Sequence, residues 1–289
     1  MGRAEGANKV VNVASVPQRS PFRYPGGKSW LIPTARKWMA SLDNPKILLE
    51  PFAGGASIGL LGAFEGYFER VLLVESAPDV AAVWQTILDS RNSKWLCNEI
   101  VSFDLTRESA IAELSIKPRS IRRLAFQTIL RNRVQHGGIL APGAGLLKDG
   151  ENGKGITSRW YPETLAKRIR AIAEYRDEIT FIHGDGLEEI RRHLSGPGVA
   201  MFLDPPYTAS KKNAGNRLYL HSALDHRELF RLAAAHSGAI LMTYDDDPSV
   251  RELATENHFQ VSPVAMQNRH LARMNEILIS KDLSWLDAE

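Results

Sequence analysis

The sequence predicts an α/β protein built on an open, mostly parallel sheet. Three observations carry that expectation. Seven short apolar runs, rich in Ile, Val and Leu, end at turn or acidic residues, and their unbroken apolar character suits strands covered on both faces. Segments with helical spacing lie between many of them, and strands alternating with helices build parallel sheets. The length, 289 residues with 44% hydrophobic and 24% charged, suits one large domain or a domain with a smaller module.

The runs are residues 46–50, 70–75, 179–183, 199–203, 239–243, 259–264 and 276–280. The helical segments between them include 57–64, 78–88, 162–175 and 226–236. No internal repeat is found. From about residue 90 to 170 the rhythm breaks: helical patterns come first, then a Gly-rich stretch over 137–155. Residues 101–170 hold 13 Lys plus Arg against 6 Asp plus Glu, a net of +7 in a chain whose total is +3, which leaves −4 for the remainder. A basic helical insert in a slightly acidic domain suits a phosphate backbone; a solvated helical face with scattered arginines is the competing reading.

Other classes are excluded. Cys97 is the sole cysteine, so no intrachain disulfide forms, and a reducing, cytoplasmic setting is expected. No run of 18 apolar residues suggests a membrane span. The N-terminal stretch lacks a signal-peptide pattern, and Gly6 stands where a myristoylation motif needs Ser or Thr. Residues 1–18 read as a mobile tail. The eight histidines show no metal-ligand spacing, so no metal is expected.

The strongest chemical signal is Asp204-Pro205-Pro206-Tyr207, directly after the run 199–203. Ligands of open α/β sheets collect at such strand ends. The prolines remove two backbone donors; the aspartate accepts, and the tyrosine offers a flat face. That set suits an exocyclic amino group on a planar ring. A second motif, Glu50-Pro51-Phe52-Ala53-Gly54-Gly55, follows another run, and its paired glycines let backbone approach a ligand. It is not the dinucleotide fingerprint GxGxxG. A third, Phe22-Arg23-Tyr24-Pro25-Gly26-Gly27-Lys28-Ser29, ends like a P-loop, but Phe22 replaces the first glycine and no buried strand precedes it. It suits a ligand with a ring and a carboxylate. Glu75 and Asp185 each close or follow a run, where the first could take ribose hydroxyls and the second an adenine amino group.

RYPGGK, EPFAGG, the Gly-Asp of HGDGLEEI, and DPPY, in that order, resemble the DNA adenine methylases. The likeness runs from about Pro21 to Leu283 and includes YLHSALDHRELF, ILMTYDDDPSVREL and EILIS. RNRVQHGG and RWYPETLAKRI are similar to the phage-type and solitary members. The resemblance implies a Rossmann-like seven-stranded mixed sheet with a reversed last strand, carrying an inserted, mainly helical target-recognition region. Residues 19–91 and 171–289 would form the catalytic domain and 92–170 the insert. It implies methyl transfer from S-adenosylmethionine to N6 of an adenine flipped out of double-stranded DNA. Tyr24, Gly27 and Lys28 would meet the methionine part of the cofactor. Glu50, Phe52, Ala53, Gly54 and Gly55 would line it, Glu75 hold its ribose and Asp185 its adenine. Asp204, Pro205, Pro206 and Tyr207 would hold the target base. Arg122, Arg123, Arg131, Asn132 and Arg133 would face DNA.

The same resemblance implies a monomer of bacterial or phage origin, with a restriction endonuclease as a partner in some systems. Two departures stand out. Asn132-Arg133 is followed by VQHGGILAPGAG rather than the hairpin of GATC-recognising members, and Glu75 by Ser76-Ala77-Pro78 rather than Asp-x-Asn. Two rival readings remain: transfer to cytosine N4 or an RNA base, and a nucleic-acid-binding module with a degenerate cofactor pocket.

Overall fold

The computed structural model describes residues 16–23, 27–138, 140, 144–148, 153–196, 198–206, 224–267 and 273–287. All seven expected runs form strands, and they join in one sheet. In chain order they are β1 (Ile47–Glu50), β2 (Arg70–Glu75), β3 (Ile179–His183), β4 (Val199–Leu203), β5 (Ile240–Asp245), β6 (Gln260–Gln267) and β7 (Arg273–Ser280). The spatial order is β3-β2-β1-β4-β5-β7-β6. Strands β1 to β5 pair in parallel. β7 runs antiparallel to both neighbours, which is the reversed last strand that the resemblance implies. β6 lies at the sheet edge, the position at which a strand tolerates a proline such as Pro263.

The helices are α1 (Ile32–Ser41), α2 (Ser57–Phe64), α3 (Pro78–Leu88), α4 (Ser90–Ser102), α5 (Arg107–Ser115), α6 (Ile121–Val134), α7 (Pro162–Glu174), α8 (Gly186–Arg192), α9 (His226–Ala235) and α10 (Pro248–Glu256). Local chemistry sets their starts. Asp89, Thr106, Ser120, Asp185, Asp225 and Asp247 each accept from a backbone N–H of the first turn. Pro78, Pro162 and Pro248 occupy first-turn positions that need no donor.

Alternation along each strand decides which core a side chain joins. On β1 and β4, Leu48, Ala200 and Phe202 enter one apolar cluster with α1–α4, α6 and α7. Leu49, Met201 and Leu203 enter the other, with Ile190, Leu229, Phe230 and Ala254 from α8, α9 and α10. The sheet is therefore covered on both faces, as its unbroken apolar runs required. The expected insert is helical, and residues 92 and 170 fall inside α4 and α7. Its Leu96, Ile100, Phe126 and Ile129 share the first cluster with sheet residues. Among the described residues no helix is long and apolar enough to cross a membrane.

Phe126 is fully buried and meets Phe103 edge-on at 5.2 Å between ring centroids. Phe126→Ala should cost about 3–5 kcal/mol. Because α6 shares its core with the sheet, denaturant curves from tryptophan fluorescence and far-UV circular dichroism should shift together as one transition. Separate transitions would show an independent insert.

Candidate active site

The strand order reverses between β1 and β4, and the carboxyl ends of strands flanking such a point form a crevice. Two of the expected segments sit at those ends, and two more at the carboxyl ends of the next strands, β2 and β3. Residues 51–56 follow β1, Glu75 closes β2, Asp185 follows β3, and Asp204-Pro205-Pro206 follows β4.

The loop after β1 is held by its neighbours. Ala53 N–H donates to Val74 O at 2.9 Å. Gly54 N–H donates to Glu75 Oε2 at 3.1 Å, and Trp84 Nε1–H donates to Gly54 O at 2.9 Å. Gly54 itself adopts φ +46°, the left-handed region that glycine tolerates. Glu75 Oε1 also accepts from Ala77 N–H at 2.8 Å, so its carboxylate is oriented by backbone from both its own strand end and the β1 loop. Asp185 Oδ1 caps α8 through Leu187 and Glu188 N–H. The β1 and β3 loops touch: a Cβ at Gly186 would lie 2.4 Å from Pro51 O and 2.8 Å from the Phe52 ring.

Glu50 stands apart from the ligand-lining role expected of it. It is buried, and its Oε2 accepts from Gly59 N–H at 2.6 Å. Gly59 lies in the first turn of α2, whose N-cap, Ala56, supplies no side-chain acceptor. Glu50 thus caps α2 from the strand below. Burial raises its pKa well above the carboxylate range, Gly59 N–H draws it back, and nearby Asp204 raises it again.

Lys28 also takes a place the sequence did not suggest. Its Nζ is buried 3.1 Å from Asp204 Oδ1 and 3.1 Å from Glu276 Oε2. Thr243 Oγ1–H donates to the same Asp204 oxygen at 2.9 Å. Burial works against the ammonium, but the two carboxylates outweigh it and the Lys28 pKa lies above its ordinary value. Burial pushes Glu276 up to about 7; Lys28 draws it down, while Asp204 and Asp245 push it up. Lys28 is one cation between a buried carboxylate, Glu276, and a half-buried one, Asp204. Burial, with Asp204, also lifts the Tyr244 phenol above its usual range.

The expected DNA-facing set resolves differently. Asn132 and Arg133 are interior, at 0% and 5% exposure. Asn132 Oδ1 accepts from Arg23 N–H at 2.9 Å, and its Nδ2 donates to Arg23 O and Gly138 O at 2.9 and 2.8 Å. Arg133 Nη2 donates to Pro21 O at 2.6 Å. Both residues brace the segment that leads to Lys28. Arg131 pairs with Asp79 at 2.6 Å. Arg123 pairs with Glu99 and Glu113. Arg122 is exposed and stacks over Trp95 at 4.8 Å. Gly27 precedes the turn that carries Lys28. Tyr24 and Tyr207 lie outside the described residues.

Sequence reasoning missed Glu276 and Thr243. Glu276 had a signal: an acid inside the run EILIS, in a strand covered on both faces, must be paired or protonated.

No protein-family profile matches the chain, and no curated protein does. Solved structures do. A SAM-dependent methyltransferase from Agrobacterium tumefaciens is similar at 11% identity and a TM-score of 0.41, over 88% of this chain and 60% of that one. This chain therefore spans less than two thirds of that protein. A putative RNA methyltransferase from Pyrococcus horikoshii is similar at 11% identity and a TM-score of 0.38, over 93% and 92% of the two chains. An rRNA methylase from Streptococcus thermophilus is similar at 9% identity and a TM-score of 0.36, over 87% and 95%.

Asn132→Ala strands the Arg23 backbone and should cost about 2–4 kcal/mol in denaturant unfolding. Arg131→Ala, which removes a partly exposed pair, should cost less than about 1 kcal/mol. Glu276 makes stability depend on pH. Its folded pKa of about 7 exceeds the ordinary 4.5, so the folded chain holds an extra proton between those values. Stability should fall as pH rises through that window. Glu276→Gln should lack this fall, so its stability relative to wild type should increase from pH 4.5 to 8.

Proposed function

We propose that the protein is an S-adenosylmethionine-dependent methyltransferase acting on N6 of adenine in double-stranded DNA. The observation that carries this reading is the position of Asp204-Pro205-Pro206, at the end of β4 beside the loop that follows β1. Those residues bear the motifs by which the sequence resembles the DNA adenine methylases.

The residues at the strand ends fit the cofactor. The β1 loop at Phe52, Ala53, Gly54 and Gly55 is fixed by bonds from the Gly54 backbone to the Glu75 and Trp84 side chains and has a glycine at positive φ, which lets a ligand approach its backbone. Glu75, oriented by two N–H donors, is suited to accept ribose hydroxyls. Asp185, at the mouth of β3, is suited to accept from an adenine amino group. When bound, S-adenosylmethionine supplies an electrophilic methyl group on its sulfonium.

The target amine is a poor nucleophile because its lone pair is delocalised into the ring. Asp204 accepts one N6–H, and a carbonyl beside Pro205 accepts the other. These bonds draw the amino group toward tetrahedral geometry and free the lone pair for in-line attack. A carboxylate is too weak a base to deprotonate a neutral aromatic amine, so the proton leaves after methyl transfer. Catalysis then comes from positioning and electrostatics. A base inside a duplex must be flipped out, at a cost of a few kcal/mol. Tyr207 would return about 1–3 kcal/mol by stacking, and phosphate contacts would make binding weaken with salt.

The test is transfer of a radiolabelled methyl group to plasmid DNA, followed by digestion to nucleosides. The expected product is N6-methyldeoxyadenosine. Asp204→Ala should lower the rate by about 10²–10³-fold or more, while calorimetry still shows cofactor binding. Label in N4-methyldeoxycytidine, or in RNA alone, would overturn the substrate assignment. Failure to bind S-adenosylmethionine would overturn the activity.

A further inference from the structure

Glu276 opens EILIS, a segment of the family likeness to which the proposed function gives no role, yet it is 2% exposed and its carboxylate lies 3.1 Å from Lys28 Nζ. It sits on β7, in register with Asp245 of β5 and Val264 of β6. Among the described residues, the charged groups that act on it are Lys28, from the turn before α1, Asp204, from the end of β4, and Asp245; from the β6 side its register partner is the uncharged Val264. Lys28 is shared, since the same nitrogen is 3.1 Å from Asp204 Oδ1. Glu50 and Tyr244 feel Asp204 as well.

A carboxylate buried in a sheet is costly unless it is paired. A leucine at this place would satisfy the strand pattern at less cost. The geometry explains what the acid does instead: it is the second anchor of an ammonium whose first anchor is the residue that meets the target amine.

We propose that Glu276 is a positioning residue for methyl transfer: acting through Lys28, it sets how strongly the ammonium is drawn to Asp204, and so how well Asp204 accepts from the target amine. The proposal rests on the reading of Asp204 given above. When Glu276 is ionised, the Lys28 charge is divided between two carboxylates, and Asp204 is a strong acceptor. When Glu276 is protonated, its competition for the ammonium is lost, and Lys28 acts more strongly on Asp204 and weakens it as an acceptor.

The consequence is a one-proton rise in the single-turnover transfer rate as pH increases through about 7. In Glu276→Gln the rise should vanish. The rate above pH 8 should drop about tenfold, the equivalent of one pK unit of acceptor strength, with KM for DNA and cofactor unchanged. Glu276→Asp should restore a pH-dependent limb with a displaced midpoint. A uniform loss in Glu276→Gln that leaves the pH profile intact would overturn the proposal in favour of a packing role. A second measurement needs no activity. The Lys28 side-chain nitrogen resonance, assigned by its loss in Lys28→Arg, should titrate near pH 7 in the wild type and not in Glu276→Gln. A Lys28 signal that does not respond in an active methyltransferase would overturn this inference. A titrating Lys28 in a protein that transfers no methyl group would overturn the functional reading instead.

Discussion

The Lys28 ammonium, buried between Asp204 and Glu276, is the constraint around which the rest of the site is arranged. A charge removed from water is tolerable only with close, well-directed partners. Keeping those partners in place takes three separated parts of the chain: the segment before α1, the end of β4, and β7. Their junction explains a feature that otherwise looks wasteful. Asn132 and Arg133, at the last turn of α6, turn their polar ends inward onto the backbone of Pro21 and Arg23. That segment has no strand of its own to satisfy its peptide groups, so side chains from α6 do so. Arg168 of α7 adds a contact to Ser20 O. The helical insert thereby reaches the site through the backbone it holds.

The other strand ends follow the same logic of fixed polar groups. Glu50 caps α2 and Glu75 bridges two loops, each through backbone N–H donors. Both acids therefore shape the crevice before any ligand arrives. Their environments differ, and so does their chemistry. Glu50 is buried, and desolvation favours its neutral form. Glu75 is half-buried at the end of β2. Two glutamates at the ends of adjacent strands thus act in different ways, one as a helix cap inside the protein and one as an acceptor at its edge.

Most of the sheet was legible in the sequence because burial on both faces leaves a simple mark. Runs of four to six apolar residues with a polar end gave β1 to β4 to within a residue. β6 and β7 extend past the apolar runs to Gln267 and Arg273, since the far part of a hairpin at a sheet edge need not be apolar. The site was legible where a motif abuts a strand, as at Asp204, and not where a residue acts from inside a strand. Glu276 reads as the first residue of an apolar run, and nothing local says that Lys28 will be beside it. Lys28 reads as a ligand-binding lysine because it closes a motif of an aromatic and a Gly-Gly turn that suits a ligand with a ring and a carboxylate. Only the long-range contact between the N-terminal segment and β7 reverses that.

The basic insert makes the same point about charge. A net of +7 over residues 101–170 counts arginines by their place in the sequence, whereas a nucleic acid meets them by their place on the surface. Arg123 faces Glu99 and Glu113, Arg131 faces Asp79, and Arg133 is inside. Arg107 donates to Leu147 O. The cations that stay exposed include Lys117, Arg119 and Arg122, at the corner between α5 and α6. They share it with exposed Ile116 and Ile121. Arg131 to Arg133 lie 10–12 residues after Ile121, the first residue of α6, so at 1.5 Å per residue that corner is about 15–18 Å along the helix from its last turn. The exposed cluster of Lys117, Arg119 and Arg122 and the braced segment beside Lys28 are therefore at opposite ends of one helix. A partner that engaged both would have to lie along α6, a constraint that the charge count does not show.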